Sequence, residues 1–232
     1  MKKNLAMAAV FLLCFSSGSI AGQFGPAQPG MKQGQFSLGP GFFGYKGELD
    51  GDAKSSQMQA YAQAGLGITD NLEIYGQIGA ADLTVEKVFD GSDFEDGFRP
   101  FGAVGFRALL TDRKPIGMGI FAQGSYFDTF EDKGTFRGTA GTTVEFDQSF
   151  ELSGGIALQT MIEGALLYGG PFFYTREGDV KISGVGTSSV EEQGNFGGFL
   201  GIRWPLLEGV NFELEGQVKT KASLGGSIQF IF

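Results

Sequence analysis

Residues 57–68 read QMQAYAQAGLGI, and every second side chain in this stretch is apolar. The even-numbered positions carry Met58, three alanines, Leu66 and Ile68, whereas the odd-numbered positions carry glutamine, tyrosine or glycine. Successive side chains of a β-strand point to opposite faces, so this alternation predicts an amphipathic strand with one apolar face. Because the same pattern recurs to the end of the chain, the sequence predicts an all-β protein.

Alternating stretches separated by turn residues predict ten strands. The strands cover residues 35–46, 56–68, 72–84, 98–110, 116–128, 149–159, 162–175, 195–204, 210–220 and 224–232, with the apolar set on even numbers in nearly all of them. Two other counts stay open. Eight strands would follow if the first and fourth are misread, and twelve would follow if residues 133–146 hold an additional hairpin.

Alternation alone does not separate a soluble β-sandwich from a membrane β-barrel, but the connections between the predicted strands do. Short connections are predicted at residues 69–71, 111–115, 160–161 and 205–209, and long acidic or glycine-rich ones at 46–56, 83–97, 129–148 and 176–194. Outer-membrane barrels combine short periplasmic turns with long extracellular loops. The pattern therefore favours a barrel with both chain ends in the periplasm.

Aromatic residues gather at both ends of the predicted strands, as in the two interfacial girdles of a membrane barrel. They are Phe42, Tyr126, Phe150, Phe172, Tyr174 and Phe196 at the long-loop ends, and Phe36, Trp204, Phe212, Phe230 and Phe232 at the short-turn ends. The closing strand, with Ile228, Phe230 and Phe232, also looks like the C-terminal signal that the barrel-assembly machinery reads.

The N-terminus has the features of a secretory signal peptide. Two lysines precede an apolar stretch over residues 5–15, and small residues follow up to Ala21, which predicts a leader at 1–21 with cleavage after Ala21. Cys14 lies in the apolar stretch after a leucine, so it is interpreted as ordinary leader. The predicted mature domain, residues 22–232, then has no cysteine and no disulfide.

From residue 22 onward the chain resembles the small outer-membrane β-barrels, in architecture rather than in a diagnostic motif. The similar proteins are the transmembrane domain of outer membrane protein A, the outer membrane protein X type and the ten-stranded omptins. The resemblance implies a transmembrane, antiparallel, up-and-down barrel in the outer membrane, surrounded by lipid and lipopolysaccharide and present as a monomer.

Charge and composition exclude several functions. The formal net charge is −9, and loss of Lys2 and Lys3 with the leader lowers it to −11, which argues against nucleic-acid binding. The chain has no histidine, the residue on which the known barrel enzymes rely, so we expect no enzyme. Residues 90–96 are rich in acids but do not match a calcium loop, and neither a metal nor a cofactor is predicted.

Six charged side chains are predicted to point inward near the short turns, where a low dielectric favours pairing. This predicted ion-pair cluster in the lumen consists of Glu73, Arg107, Glu163, Arg203, Glu213 and Glu215. The cluster has two interpretations: a structural plug, or a constriction that filters small ions. Higher in the lumen the sequence predicts a polar and aromatic lining of Tyr61, Gln63, Tyr75, Gln77, Phe121 and Gln123.

The predicted function follows from these two interpretations. A packed lumen gives the protein a structural or surface-interaction role, in which acidic extracellular loops contact lipopolysaccharide, with divalent cations as a possible bridge, or another partner. The alternative is a narrow porin-like channel for small solutes or ions with a mild cation preference. In that case, replacing Arg107 or Arg203 by a small residue should widen the path.

Overall fold

The computed structural model describes residues 24–49, 53–113, 115–191, 195–219 and 221–232. The predicted signal peptide lies outside them. Twelve strands form: β1 (Phe36–Leu49), β2 (Ala53–Thr69), β3 (Leu72–Phe89), β4 (Ser92–Thr111), β5 (Gly117–Phe127), β6 (Phe130–Phe136), β7 (Thr139–Ile162), β8 (Ala165–Ile182), β9 (Gly186–Glu191), β10 (Phe196–Leu207), β11 (Val210–Val218) and β12 (Ala222–Ile231). Within the described part of the chain, no helix is long and apolar enough to span a membrane.

Ten of these strands form a closed antiparallel barrel, which confirms the predicted fold class and strand number. The ring runs β7-β5-β4-β3-β2-β1-β12-β11-β10-β8 and closes through pairing of β7 with β8. The first and last strands are neighbours, with Gly41 opposite Ser227. Closure leaves the ten-stranded ring without an unpaired edge, which is the condition for a sheet to cross lipid.

The wall is apolar outside and polar inside. On β2, Met58 is 54% exposed, whereas its neighbours Gln57 and Gln59 are 2% and 8% exposed. On β3, Ile78 is 74% exposed and the adjacent Gln77 is 3% exposed. This arrangement is the reverse of a soluble protein and is the one that a barrel in lipid requires.

The two ends of the barrel differ in their connections. At one end, here called the short-turn end, lie the start of β1, the end of β12 and the tight turns after β2, β4, β7 and β10. The turn predicted at residues 160–161 is displaced, because β7 continues to Ile162 and the chain reverses at Glu163 and Gly164. Both residues have positive φ, 49° and 85°, as a two-residue type I′ hairpin turn requires.

At the opposite end, here called the hairpin end, the predicted long loops are largely strand. β3 and β4 continue to a two-residue turn at Asp90 and Gly91, and β7 pairs with β6 beyond the end of β5. An additional hairpin does lie within residues 133–146. It lengthens the wall instead of entering the ring, so the barrel keeps ten strands.

The girdle prediction is wrong for two aromatic residues. Phe172 and Tyr174 are 2% and 0% exposed and point into the lumen. The two-residue turn after β7 pairs odd positions of β7 with even positions of β8, as in Gln159 opposite Tyr168. Residues directly opposite one another face the same side, so the inward set of β8 is even-numbered and not odd-numbered.

The other predicted girdle residues lie toward the outside. Phe42, Tyr126, Phe150 and Phe196 are exposed at the hairpin end, as are Phe36, Trp204, Phe230 and Phe232 at the short-turn end, while Phe212 is half-buried. The Phe36 and Phe232 rings stack with centroids 4.9 Å apart, which joins the two ends of the wall. Ile228, like Phe230 and Phe232, is outward-facing, and the role of these three residues in assembly stays a prediction.

Candidate functional site in the barrel lumen

Five charged side chains meet in the lumen near the short-turn end: Glu73, Arg107, Arg203, Glu213 and Glu215. All are at most 5% exposed. Glu73 lies opposite Arg107 and Arg203 lies opposite Glu213 in the strand register, so each pair faces inward together. We call these five residues the lower charge layer.

Two arginines hold the lower charge layer together. Arg203 donates a hydrogen bond from Nε to Oε1 of Glu213. Arg107 has its Nη1 3.9 Å from a carboxylate oxygen of both Glu73 and Glu213, and its guanidinium lies 4.6 Å from the centre of the Tyr75 ring. Charges removed from water need such partners, because an isolated ion in a low dielectric is very unfavourable.

Glu163, the sixth residue of the predicted cluster, does not belong to it. It occupies the first position of the turn after β7 and is exposed at the rim. The prediction placed the turn at residues 160–161 and so assigned Glu163 to a rising strand. The displaced turn moves its side chain out of the lumen.

A segment that precedes the first strand fills the lumen beside the lower charge layer. Phe24, Ala27 and Met31 are 2%, 0% and 4% exposed, although residues 24–31 belong to no strand. We call residues 24–31 the N-terminal plug. An eight-stranded barrel is just filled by its own side chains, and the wider ten-stranded ring accommodates this additional chain.

Polar groups of the wall bind the main chain of the N-terminal plug. The Glu215 carboxylate accepts hydrogen bonds from the amides of Phe24 and Gly25 at 2.9 and 2.8 Å. The Gln28 amide donates to Gln159 Oε1 at 2.9 Å, and Arg203 Nη1 donates to the Gln28 carbonyl at 2.8 Å. The lower charge layer therefore holds the plug as well as pairing within itself.

An aromatic socket receives the side chain of Phe24. Its ring stacks on Phe121 with a centroid distance of 4.4 Å and meets the edges of Phe172 and Phe199 at 5.0 and 5.7 Å. These three rings come from β5, β8 and β10. Stacked and edge-to-face pairs at such distances stabilise beyond their buried area, so the socket is specific for an aromatic group.

Glycines in the wall make room for the N-terminal plug. A Cβ on Gly67 would lie 2.2 Å from the Lys32 carbonyl oxygen, and a Cβ on Gly119 would lie 2.4 Å from the Ala27 side chain. A Cβ on Gly65 would approach Met31 to 3.0 Å. The plug and the wall thus have complementary shapes.

Sequence reasoning missed the N-terminal plug because residues 24–31 have neither alternation nor a chemical motif. The available signal lay in two places. Phe24 and Met31 are large apolar residues in a segment of glycine, proline, alanine and glutamine, and Gly65, Gly67 and Gly119 are inward positions without a side chain. Only the folded ring brings these two features together.

A second charged group, the upper charge layer, consists of Glu151, Arg176 and Lys219. Lys219 Nζ lies 2.9 Å from Oε1 of Glu151 and 4.4 Å from the centre of the Tyr174 ring. Arg176 lies over Phe127 at 5.0 Å. Sequence reasoning missed this layer, since Arg176 is inward-facing only after the switch to even-numbered positions on β8.

Between these layers the predicted polar and aromatic lining is found in the lumen, and it is hydrogen-bonded. The hydroxyl of Tyr75 donates to Gln123 Oε1 at 2.9 Å, and the side-chain Nε2 of Gln77 donates to Gln63 Oε1 at 2.9 Å. Tyr61 and Phe121 are buried as well. The lumen is therefore packed with side chains and is closed further by the N-terminal plug.

At the hairpin end, the β3–β4 tip docks on the β6–β7 hairpin. Phe89, Phe94, Phe130 and Val144 are at most 5% exposed, and Phe94 meets Phe146 edge-on at 4.7 Å. Hydrogen bonds accompany this packing, as from the Gly138 amide to Asp90 and from the Glu95 amide to Asp132, at 2.7 and 2.9 Å. These hairpins form a packed platform.

The platform carries carboxylates opposite one another in the strand register. The pairs are Glu131 with Glu145 and Asp147 with Asp179. Like charges directly opposite one another destabilise a sheet. Lys181 partly compensates, since it donates a hydrogen bond to Asp147, and this contact raises the pKa of Lys181.

Among the residues that the structure describes, no three histidine, cysteine, aspartate or glutamate side chains form a group that could hold a metal ion. The acidic run at residues 90–96 instead uses its carboxylates to fix main-chain amides, as Asp93 does for Lys87 at 2.9 Å.

No protein-family model and no curated protein matches this chain. Among solved structures, it is similar to the transport unit of the autotransporter AIDA-I from Escherichia coli, with a TM-score of 0.51, 15% identity and coverage of 87% of this chain and 90% of that one. It is also similar to the translocator domain of the autotransporter NalP from Neisseria meningitidis, with a TM-score of 0.50, 10% identity and coverage of 99% and 95%.

The outer membrane protease OmpT from Escherichia coli matches with a TM-score of 0.45 and 9% identity over 85% of this chain and 94% of that one, a similarity too low to carry an argument. The two higher matches show the fold alone. Together with the apolar outer wall and the polar, charged lumen, they identify the chain as an integral membrane β-barrel of the outer-membrane type.

Proposed function

We propose that this barrel is a closed scaffold in the outer membrane that presents the hairpin platform for interaction at the cell surface. The observation that carries the proposal is the docking of the β3–β4 tip on the β6–β7 hairpin through a buried aromatic core. Ordering a surface hairpin costs conformational entropy, and a rigid surface is what a recognition site needs.

The proposed partner is lipopolysaccharide, bound through divalent cations that bridge its phosphates to the acidic platform. The opposed carboxylates at Glu131 and Glu145, and at Asp147 and Asp179, support this proposal. Their mutual repulsion disfavours the free platform and would be relieved by a cation. Hard divalent cations prefer carboxylate and phosphate oxygens.

The test is binding of purified lipopolysaccharide to the barrel in phosphatidylcholine nanodiscs, with Mg²⁺ and with a chelator. The variant is Glu145→Gln/Asp179→Asn. Its control, Asp112→Asn/Glu208→Gln, removes exposed acids at the short-turn end. We expect Mg²⁺-dependent binding that the platform variant loses and the control keeps. Lipopolysaccharide binding that depends neither on Mg²⁺ nor on the platform residues would overturn the proposal.

A narrow ion channel is the second candidate. It is favoured by one observation: part of the lumen is filled by a segment that pairs with no wall strand, and not by wall side chains alone. The lower charge layer has three glutamates and two arginines, which supports the mild cation preference proposed for such a path. Single-channel recording in planar bilayers separates this candidate from a closed scaffold.

We propose no catalytic role, because the chain has no histidine and its buried carboxylates serve as partners for arginines, a lysine or main-chain amides. A monomeric state and insertion by the barrel-assembly machinery through Ile228, Phe230 and Phe232 are parts of the same proposal. Mass determination in detergent tests the first, and truncation of the last three residues tests the second.

A further inference from the structure

We infer that the lumen is a binding site for an extended peptide segment with an aromatic residue followed by glycine, and that the chain's own residues 24–31 occupy it as a removable plug. This inference concerns the lumen and goes beyond the surface role proposed for the platform. The plug inference and the surface proposal can fail independently, since ion conduction tests the plug and binding of lipopolysaccharide tests the platform.

The N-terminal plug is held by side chains and not by strand pairing. Its main chain bonds to the side chains of Glu215, Gln159 and Arg203, and its ring occupies the socket around Phe121. Removing it would break no ladder hydrogen bond of the wall. The predicted cleavage after Ala21 would also place a free chain end two residues before Phe24.

The wall has features that a merely packed lumen would not need. Both oxygens of Glu215 accept main-chain amides, so a buried carboxylate is matched to two adjacent donors. Gly67 faces the C-terminal end of the plug, since the nearest atoms to a Cβ there are the oxygen and the carbonyl carbon of Lys32, the residue that follows the plug, at 2.2 and 3.0 Å, and Met31 Cβ at 3.5 Å. The Glu215 carboxylate, the aromatic socket and the space at Gly67 together define the class of ligand.

Two observations favour glycine as the second residue of the bound motif. Gly25 has φ +73°, which side chains other than glycine rarely allow. A Cβ at Gly25 would also lie 2.5 Å from Nη1 of Arg107. The site therefore distinguishes a Phe-Gly segment from other apolar segments.

Release of the plug would leave a hydrated path. Glu215, Gln159 and Arg203 would lose the partners that they have in the plug, and these polar groups can be solvated by entering water. The lumen would then retain the lower charge layer, which links the plug to ion passage.

The experiment compares single-channel currents of four chains in planar bilayers: the unmodified protein, a deletion of residues 24–31, Gly67→Val and Gly76→Val. Gly67→Val drives the wall into Lys32, whereas a side chain at Gly76 lies at the outer surface with its nearest neighbour, the Ala103 oxygen, at 3.7 Å. Heat-dependent mobility on a gel reports whether each barrel is folded.

We expect the unmodified protein and Gly76→Val to be silent. The deletion and Gly67→Val should open, with an open fraction raised at least about tenfold because hydrogen bonds to charged groups are lost. A folded deletion variant that stays silent would overturn the inference, as would an unmodified protein that conducts as well as the deletion.

A synthetic peptide of residues 22–33 keeps the inference testable if the deletion fails to fold. Added to open Gly67→Val barrels from the short-turn side, the peptide should block the current, and the same peptide with Phe24→Ala should not. Equal block by both peptides, or block by neither, would show that the socket does not recognise the segment.

Discussion

The carboxylate of Glu215 on β11 accepts a hydrogen bond from the main-chain amide of Phe24 at 2.9 Å, across 191 positions of the chain. A carboxylate of the barrel wall thereby fixes a segment that lies in the lumen and is not part of the wall. Hydrogen bonds to a charged acceptor are about twice as strong as those between neutral groups, which makes this contact a principal tether of the plug.

Replacing Phe24 by alanine should loosen the plug without opening the barrel wall. Loss of a buried phenylalanine costs about 3–5 kcal/mol, and here the loss falls on the docking of one segment. Hydrogen exchange of the Gln28 amide, which donates to Gln159, should accelerate by about two orders of magnitude. Phe36→Ala, at a lipid-facing residue that is 52% exposed, is the control and should leave this amide protected.

The Arg203–Glu213 pair should contribute more to stability than any ion pair at the surface. Both side chains are buried, so Arg203→Met removes a donor from a buried carboxylate and should cost about 3–5 kcal/mol of unfolding free energy in urea. Adding Glu213→Gln should recover part of that loss. The same cycle on the exposed pair Lys54 and Glu86, 3.7 Å apart, should show a coupling of about 1 kcal/mol or less, and equal couplings would contradict the prediction.

Phe94 should hold the hairpin platform together. Its ring is fully buried, whereas Phe98 on the same strand is 62% exposed. Phe94→Ala should detach the β3–β4 tip from the β6–β7 hairpin and let protease cut near Gly91 in whole cells, because a freed hairpin tip is accessible. Phe98→Ala should remain as resistant as the unmodified chain, and a resistant Phe94→Ala would show that the tip is fixed by its hydrogen bonds alone.

Trp204, the only tryptophan of the chain, reports the position of the short-turn girdle. It is 41% exposed on the outer wall, at the end where an interfacial aromatic belt is expected. Its fluorescence should shift to shorter wavelength on insertion into vesicles, and lipids brominated near the headgroup should quench it more than lipids brominated at the chain ends. The reverse order of quenching would place Trp204 near the bilayer centre.

The sequence predicted correctly those features that depend only on neighbouring residues in the chain. Alternation is local, and it correctly predicted an all-β chain, ten wall strands and an inward Glu73, Arg107, Arg203, Glu213 and Glu215. The error at Glu163 arose because the turn after β7 lies at residues 163–164 and not at residues 160–161. The errors at Phe172 and Tyr174 arose because a two-residue turn pairs odd positions of β7 with even positions of β8, so the set of positions that faces inward changes across the turn.

The sequence by itself determined the membrane-facing character of the wall. That property needs only that apolar and polar residues alternate along each strand and that there are enough strands to close a ring. The tertiary structure decided what fills the lumen. The socket for Phe24 is assembled from β5, β8 and β10, and its carboxylate comes from β11. No short-range pattern encodes a contact between residues 24 and 215, because that contact exists only once the ring has closed and excluded water from its interior.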